Sequence, residues 1–218
     1  MNRQRAVVVT RDGVINRRVA HGFVAQWQEF EFMPGALEGL RLLAEQGYEV
    51  FVISRQECVG EGLLGWSDLE RLTHRMQLEV ALAGGYIADV YYCTHSRWNS
   101  CACRPPGTAL LKQLLKEHQL YPDDVFLVSD DSDDLVAAWR LGVRTVLVER
   151  GAFLCDPRNR HSEVASNLAE AARRIVDRDL VSVDSIVLEE LPPGMLSPGG
   201  KSSALGVLAH QNNAGEWR

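Results

Sequence analysis

Apolar positions in this chain fall into two recurring patterns, short unbroken runs and stripes at helical spacing. Ala6 to Val9 is an unbroken run, which predicts a buried strand, and it ends in Thr10-Arg11-Asp12-Gly13. Ala36, Leu37, Leu40, Leu42 and Leu43 then recur at helical spacing, with Pro34 at the start and Gly47 at the stop. Glu49 to Ser54 predicts a second strand. Leu69, Leu72, Met76 and Val80 share one face of a helix opened by a Ser67/Glu70 capping box and running to Leu82. Ile87 to Tyr92 reads as a third strand, Leu110, Leu111, Leu114 and Leu115 as a helix, and Asp124 to Ser129 as a fourth strand. Asp133 to Leu141 predicts a short helix, Arg144 to Val148 a fifth strand, and Asn167 to Arg178 a closing helix.

This alternation predicts an α/β fold, a Rossmann-like parallel sheet with helices on both faces. Residues 17 to 34 lack a clean period and predict a loop or small flap, and residues 55 to 65 a glycine-containing loop. The 218 residues suit one domain over residues 1–180 and an arm over residues 181–218 that holds Pro192, Pro193, Pro198 and five glycines. Such an arm either trails as a flexible terminus or docks, on the body or on a protein partner.

Composition narrows the classes. A net charge of −6 gives no reason to expect nucleic-acid binding, and no apolar stretch reaches the length of a membrane span, so the expected place is the cytoplasm. Lysine is scarce: Lys112, Lys116 and Lys201 are the three in the chain. Three of the five cysteines lie close together beside a histidine. Cys93, His95, Cys101 and Cys103 supply four soft or borderline ligands within eleven residues, the composition of a closed, structural Cys3His zinc site. Cys58 and Cys155 read as ordinary thiols.

Open α/β sheets bind ligands at the carboxyl ends of their strands, which places Thr10, Asp12 and Ser54 at the expected site. Asp130, Asp131, Asp133 and Asp134 crowd a further strand end, where their mutual repulsion calls for a cation or a helix N-terminus. Asp133 reads as a cap of the helix that follows, and Asp130 as a metal ligand.

The stretches Arg11 to Asn16, Glu29 to Leu37, Cys93-Thr94-His95, Cys101 to Arg104, and Asp130 with Asp134 together resemble the haloacid-dehalogenase-like phosphatases. The resemblance is to the branch of the heptose-bisphosphate and histidinol-phosphate phosphatases, and it covers residues 6 to 178. It implies a nucleophilic carboxylate at position 10, where this chain has Thr10, and an acid/base at Asp12. It also implies phosphate-holding roles for Ser54 and Arg104, and magnesium at Asp130 and Asp134.

The family's lysine is absent from Arg104-Pro105-Pro106-Gly107, and its Asn-Gln-Ser-Gly loop reads Arg55-Gln56-Glu57-Cys58. A threonine hydroxyl without a base is a poor nucleophile, and the missing carboxylate is also a missing hard ligand. The expectation is therefore a catalytically inactive pseudophosphatase serving in binding, regulation or assembly. The alternatives are an active magnesium-dependent phosphatase on a sugar bisphosphate or histidinol phosphate, and a sensor that binds a phosphorylated small molecule without turnover.

Overall fold

The computed structural model describes residues 4–20, 22–148 and 163–189, the side chains of 180–189 excepted. Twelve principal elements follow in order among the described residues: β1 (Ala6–Thr10), α1 (Ala36–Glu45), β2 (Glu49–Arg55), α2 (Glu57–Gly60), α3 (Trp66–Leu82), β3 (Asp89–Cys93), α4 (Ala109–Glu117), β4 (Val125–Ser129), α5 (Ser132–Arg140), β5 (Arg144–Val148), β6 (Glu163–Ala165) and α6 (Leu168–Glu189). The six strands form one parallel sheet in the order β3-β2-β1-β4-β5-β6. Successive side chains of a strand face opposite sides, so β1 divides its residues between two cores. Val7 and Val9 pack with Leu40, Leu43, Met76 and Ile175, from α1, α3 and α6. Ala6 and Val8 pack with Leu111, Leu114, Leu135 and Ala138, from α4 and α5.

Burial on both faces explains why β1 and β4 read as continuous apolar runs rather than alternating ones. Each fully buried Val or Leu contributes about 1.5–3 kcal/mol of transfer free energy, enough for the sheet and its two helical layers to dominate the fold's stability. β1 lies between β2 and β4, the point at which the strand order reverses, and the carboxyl ends of these three strands form the crevice that holds the site.

The structure differs from the sequence reading in local respects. β3 begins two residues later than predicted and runs to Cys93. The predicted 55–65 loop contains one helical turn, α2. The Ser67/Glu70 box does not form: Gly65 is the N-cap of α3, and Glu70 accepts the Trp66 indole N–H at 2.7 Å. Asp131, not Asp133, caps α5, its carboxylate accepting the Asp133 backbone N–H at 2.9 Å. The 17–34 segment is a packed loop in which Trp27 stacks on Phe30 at 4.9 Å and Val24 is fully buried.

The chain divides into two units, Met1–Leu180 and Val181–Arg218. Of the second, residues 181–189 are described, and they are helical. The proline- and glycine-containing remainder of the expected arm lies outside the described residues, as does Cys155. Among the described residues no helix is long and apolar enough to cross a membrane.

Candidate active site

The chain turns sharply where β1 ends. Asp12 is extended (φ −78°, ψ 112°) and Gly13 has φ 109°, a conformation that side-chain-bearing residues rarely adopt. A Cβ at Gly13 would stand 2.3 Å from an Asp130 carboxylate oxygen, so glycine here lets the β1 loop lie directly against the end of β4.

Asp12 is the most heavily bonded carboxylate at this crevice. Arg11 donates to it from Nε and Nη2, both at 3.0 Å, and Asn16 donates at 3.1 Å, Ser54 Oγ at 2.8 Å and Gln56 at 3.0 Å. Burial by itself would lift the Asp12 carboxyl, but the charge of Arg11 and the hydrogen bonds from Arg11, Ser54 and Asn16 outweigh burial and hold it below the ordinary carboxylate range. Asp12 is therefore an anion at neutral pH. Thr10 is 7% exposed, and its hydroxyl donates to Ser129 Oγ at 3.3 Å. Ser129 in turn donates to Asp134 at 2.9 Å.

The carboxylates at the end of β4 are held by arginines from elsewhere in the chain. Arg18 grips both oxygens of Asp130, at 3.2 and 2.7 Å, and Arg55 reaches Asp131 at 2.6 Å and Asp134 at 3.8 Å. Burial lifts the Asp134 carboxyl to about 6 against the opposing pull of Arg55. For Asp131 the Arg55 bond and the Asp133 N–H prevail over burial and lower it.

A cavity of ≈ 320 Å³ opens here, lined by Thr10, Asp12, Arg18, Ser54, Arg55 and Asp134 among others. That is the size range of small-molecule sites. Arg104 does not line it: its guanidinium donates to the carbonyls of Ser96 at 3.0 Å and Arg97 at 3.1 Å and pairs with Glu57 at 3.0 Å, tying the cysteine loop to α2. The structure thus gathers Thr10, Asp12, Ser54 and Asp134 at one cavity, sets Asp130 against the Gly13 turn, and places Arg104 on the loop beside it. Arg11, Gln56, Arg18 and Arg55 belong to the same arrangement and carried no assigned role in the sequence reading. The one signal that pointed toward them was the scarcity of lysine, which leaves arginine to supply the site's positive charge.

Two ion sites can be tested against this geometry. The donor atoms of Cys93, His95, Cys101 and Cys103 all lie within 4.8 Å of one another, with Cys93 Sγ 3.6 Å from His95 Nδ1 and 3.8 Å from Cys101 Sγ. A tetrahedral ion with Zn–S of ~2.3 Å and Zn–N of ~2.0–2.1 Å requires S···N of ~3.6 Å and S···S of ~3.8 Å, so the four residues fit such a metal. At the other end, Asp130 and Asp134 offer hard oxygen ligands beside the cavity. A magnesium ion there would have to share Asp130 with Arg18, which holds both of its oxygens, and Asp134 with Ser129. Thr10 makes that site one anionic ligand poorer than a carboxylate would.

A HAD-hydrolase-like family model matches residues 102–171. The chain is 33% identical over 149 residues, 68% of its own length and 85% of the relative's, to D-glycero-beta-D-manno-heptose-1,7-bisphosphate 7-phosphatase of Helicobacter pylori. It is 28% identical over 172 residues, 75% of this chain and 93% of the relative, to the enzyme of that name from Haemophilus ducreyi. Among solved structures, D,D-heptose 1,7-bisphosphate phosphatase from Burkholderia thailandensis superposes with a TM-score of 0.59 at 27% identity, covering 79% of this chain and 99% of that one. The phosphatase from B. bronchiseptica, solved with magnesium and phosphate, superposes with a TM-score of 0.73 at 24% identity, covering 80% and 99%.

A parallel sheet whose strand order reverses at β1, covered by helices on both faces, defines the class as a Rossmann-like α/β fold. Within that class the chain belongs to the haloacid-dehalogenase-like phosphatases, in the branch of the heptose-1,7-bisphosphate phosphatases.

These relatives correct the expectation of an inactive pseudophosphatase. The relatives that align over most of their length are named as phosphatases, and none of these likenesses supports a protein partner or an assembly role. That expectation rested on three departures together, Thr10 in place of a carboxylate, no lysine directly after Arg104 and an altered loop after β2. The first closes one covalent route, whereas the cavity and the ionised Asp12 remain.

Proposed function

We propose that the chain is a phosphomonoester hydrolase acting on a phosphorylated sugar of the heptose-bisphosphate class. One observation carries the reading: 33% identity across 85% of a relative named as a heptose-1,7-bisphosphate 7-phosphatase. The chemistry differs from that of a carboxylate nucleophile. Hydrolysis proceeds by direct attack of water on phosphorus, and the ionised Asp12 takes the proton of that water. The P–O bond to the sugar breaks, the sugar oxygen leaves with the proton carried by the phosphate monoanion, and inorganic phosphate is released as the dianion. Phosphoryl transfer of this kind depends mainly on positioning and charge, so a site without a nucleophile still lowers the barrier.

Ser54 and Gln56 fix Asp12 in place, and the Thr10 hydroxyl occupies the floor of the site. A magnesium ion on Asp130 and Asp134 would neutralise the charge of the phosphate, and the Cys93, His95, Cys101 and Cys103 set would hold a structural zinc that pins the loop. The test is phosphate release from a heptose 1,7-bisphosphate with magnesium. Turnover by the wild type that falls at least a hundredfold in Asp12→Asn supports the assignment. Turnover that survives Asp12→Asn refutes the role of Asp12, and a wild type that releases no phosphate refutes the function.

A further inference from the structure

The family resemblance leaves this site without its lysine, and the nearest lysine along the chain, Lys112, lies in α4 and does not line the cavity. The cavity is lined instead by four arginines, Arg11, Arg18, Arg55 and Arg97, and by as many carboxylates, Asp12, Glu57, Glu61 and Asp134. Arg18 comes from the loop after β1 and Arg55 from the last position of β2, and both line the same cavity as Thr10 and Asp12. The two guanidinium groups lie close enough for each to feel the other's charge, since Arg55 opposes protonation of Arg18. Like charges held together are unfavourable unless anions lie between or beside them. Asp130, Asp131 and Asp134 supply that compensation in part.

A guanidinium has five N–H donors. Among the described residues the bonds to Asp130 engage two of those of Arg18, and the bond to Asp131 engages one of those of Arg55. Each arginine is thus oriented by a carboxylate on one edge while other donors remain for the cavity. The planar fork of arginine matches the oxygens of a phosphate in a way that a point-charge ammonium does not.

We propose that Arg18 and Arg55 form a phosphate clamp in this chain, holding the phosphoryl oxygens from two sides of the cavity and supplying the positive charge that a lysine would otherwise provide. Asp130 and Asp131 act as positioning residues for the clamp. The proposal rests on the phosphatase reading, because it names the groups that bind the phosphate at that same site. It also accounts for the departure at position 55, where Arg55 takes the place of the family's asparagine at the mouth of the phosphate loop.

Binding of inorganic phosphate measured by isothermal titration calorimetry tests the clamp, with one series in magnesium and one without added divalent cation. Wild-type protein, Arg18→Gln, Arg55→Gln, Arg55→Lys and the surface control Arg17→Gln are compared, with far-UV circular dichroism and thermal melting to establish that each is folded. The clamp requires that Arg18→Gln and Arg55→Gln each weaken phosphate at least tenfold in both buffers, that Arg55→Lys fall between wild type and Arg55→Gln, and that Arg17→Gln bind as wild type. Phosphate affinity within twofold of wild type in folded Arg18→Gln and Arg55→Gln overturns the clamp while leaving the hydrolase reading intact if the wild type turns over. A wild type that neither binds phosphate at millimolar concentration nor releases it from a sugar phosphate overturns both.

Discussion

Gly13→Ala separates what the turn after β1 contributes from what any glycine in a positive-φ turn contributes. At φ 109° an alanine carries a backbone penalty of roughly 1–2 kcal/mol. The new Cβ would also stand 2.3 and 2.5 Å from the two Asp130 carboxylate oxygens, so Asp130 must swing away and release Arg18. That ion pair is partly exposed, with Arg18 48% and Asp130 11% accessible, and its loss adds about 1 kcal/mol at most. The expected cost is about 1–3 kcal/mol. Gly47→Ala is the internal control: Gly47 has φ 73° with no atom within 4 Å of a built Cβ, so it should cost about 1 kcal/mol. Urea unfolding at pH 7.5 of the two single variants, and of Gly13→Ala in an Asp130→Ala background, gives the comparison. In that background Gly13→Ala should lose its contact component and keep only the backbone one. The reasoning fails if Gly13→Ala costs no more than Gly47→Ala, or if its cost is the same with and without the Asp130 side chain.

Other outcomes follow from the same geometry. Asp12 has a folded pKa below 3.8, so its network contributes stability that is full above the unfolded carboxylate value and is lost as pH falls through the folded one; the difference between wild type and Asp12→Asn in urea titrations should therefore be largest at neutral pH and shrink below pH 3.8. Tyr48→Phe removes a buried 2.6 Å hydrogen bond to Asp179, a residue that also pairs with Arg144 at 3.1 Å, and should cost about 1.5–3 kcal/mol by thermal or chemical unfolding, with little change in phosphate release. Elemental analysis of protein purified without chelator should find about one zinc per chain, and Cys101→Ser should reduce that content and lower the melting temperature.

The strands most plainly legible in the sequence are those buried on both faces. Val7, Val8 and Val9, or Phe126, Leu127 and Val128, form apolar runs because each residue meets one of two cores. β6 was missed because three residues, Glu163–Ala165, are too few to show any period. The metal ligands were legible for a different reason: Cys93 to Cys103 are neighbours in sequence, so their spacing carries their geometry.

The arginine network was not legible. Arg18 meets Asp130 across 112 residues and Arg55 meets Asp131 across 76, and only the sheet order β2-β1-β4 brings them together. Arg11 was invisible as a buried group because arginine is rarely buried without a partner, and its partner is the adjacent Asp12. The Ser67/Glu70 box failed through local competition, with the Trp66 indole taking the Glu70 carboxylate. The inference of inactivity rested on residue identities at single positions, and the likeness of the chain over most of the length of named phosphatases outweighs it.

The central claim is that this site hydrolyses a phosphomonoester by direct attack of water, with Thr10 standing where a covalent nucleophile would be. An acid-quenched single turnover with radiolabelled heptose 1,7-bisphosphate, magnesium and excess enzyme tests it most directly. The account predicts that label appears as inorganic phosphate and that none is retained on the protein at any time. Label trapped on the protein, or no inorganic phosphate formed at stoichiometric enzyme, would contradict it.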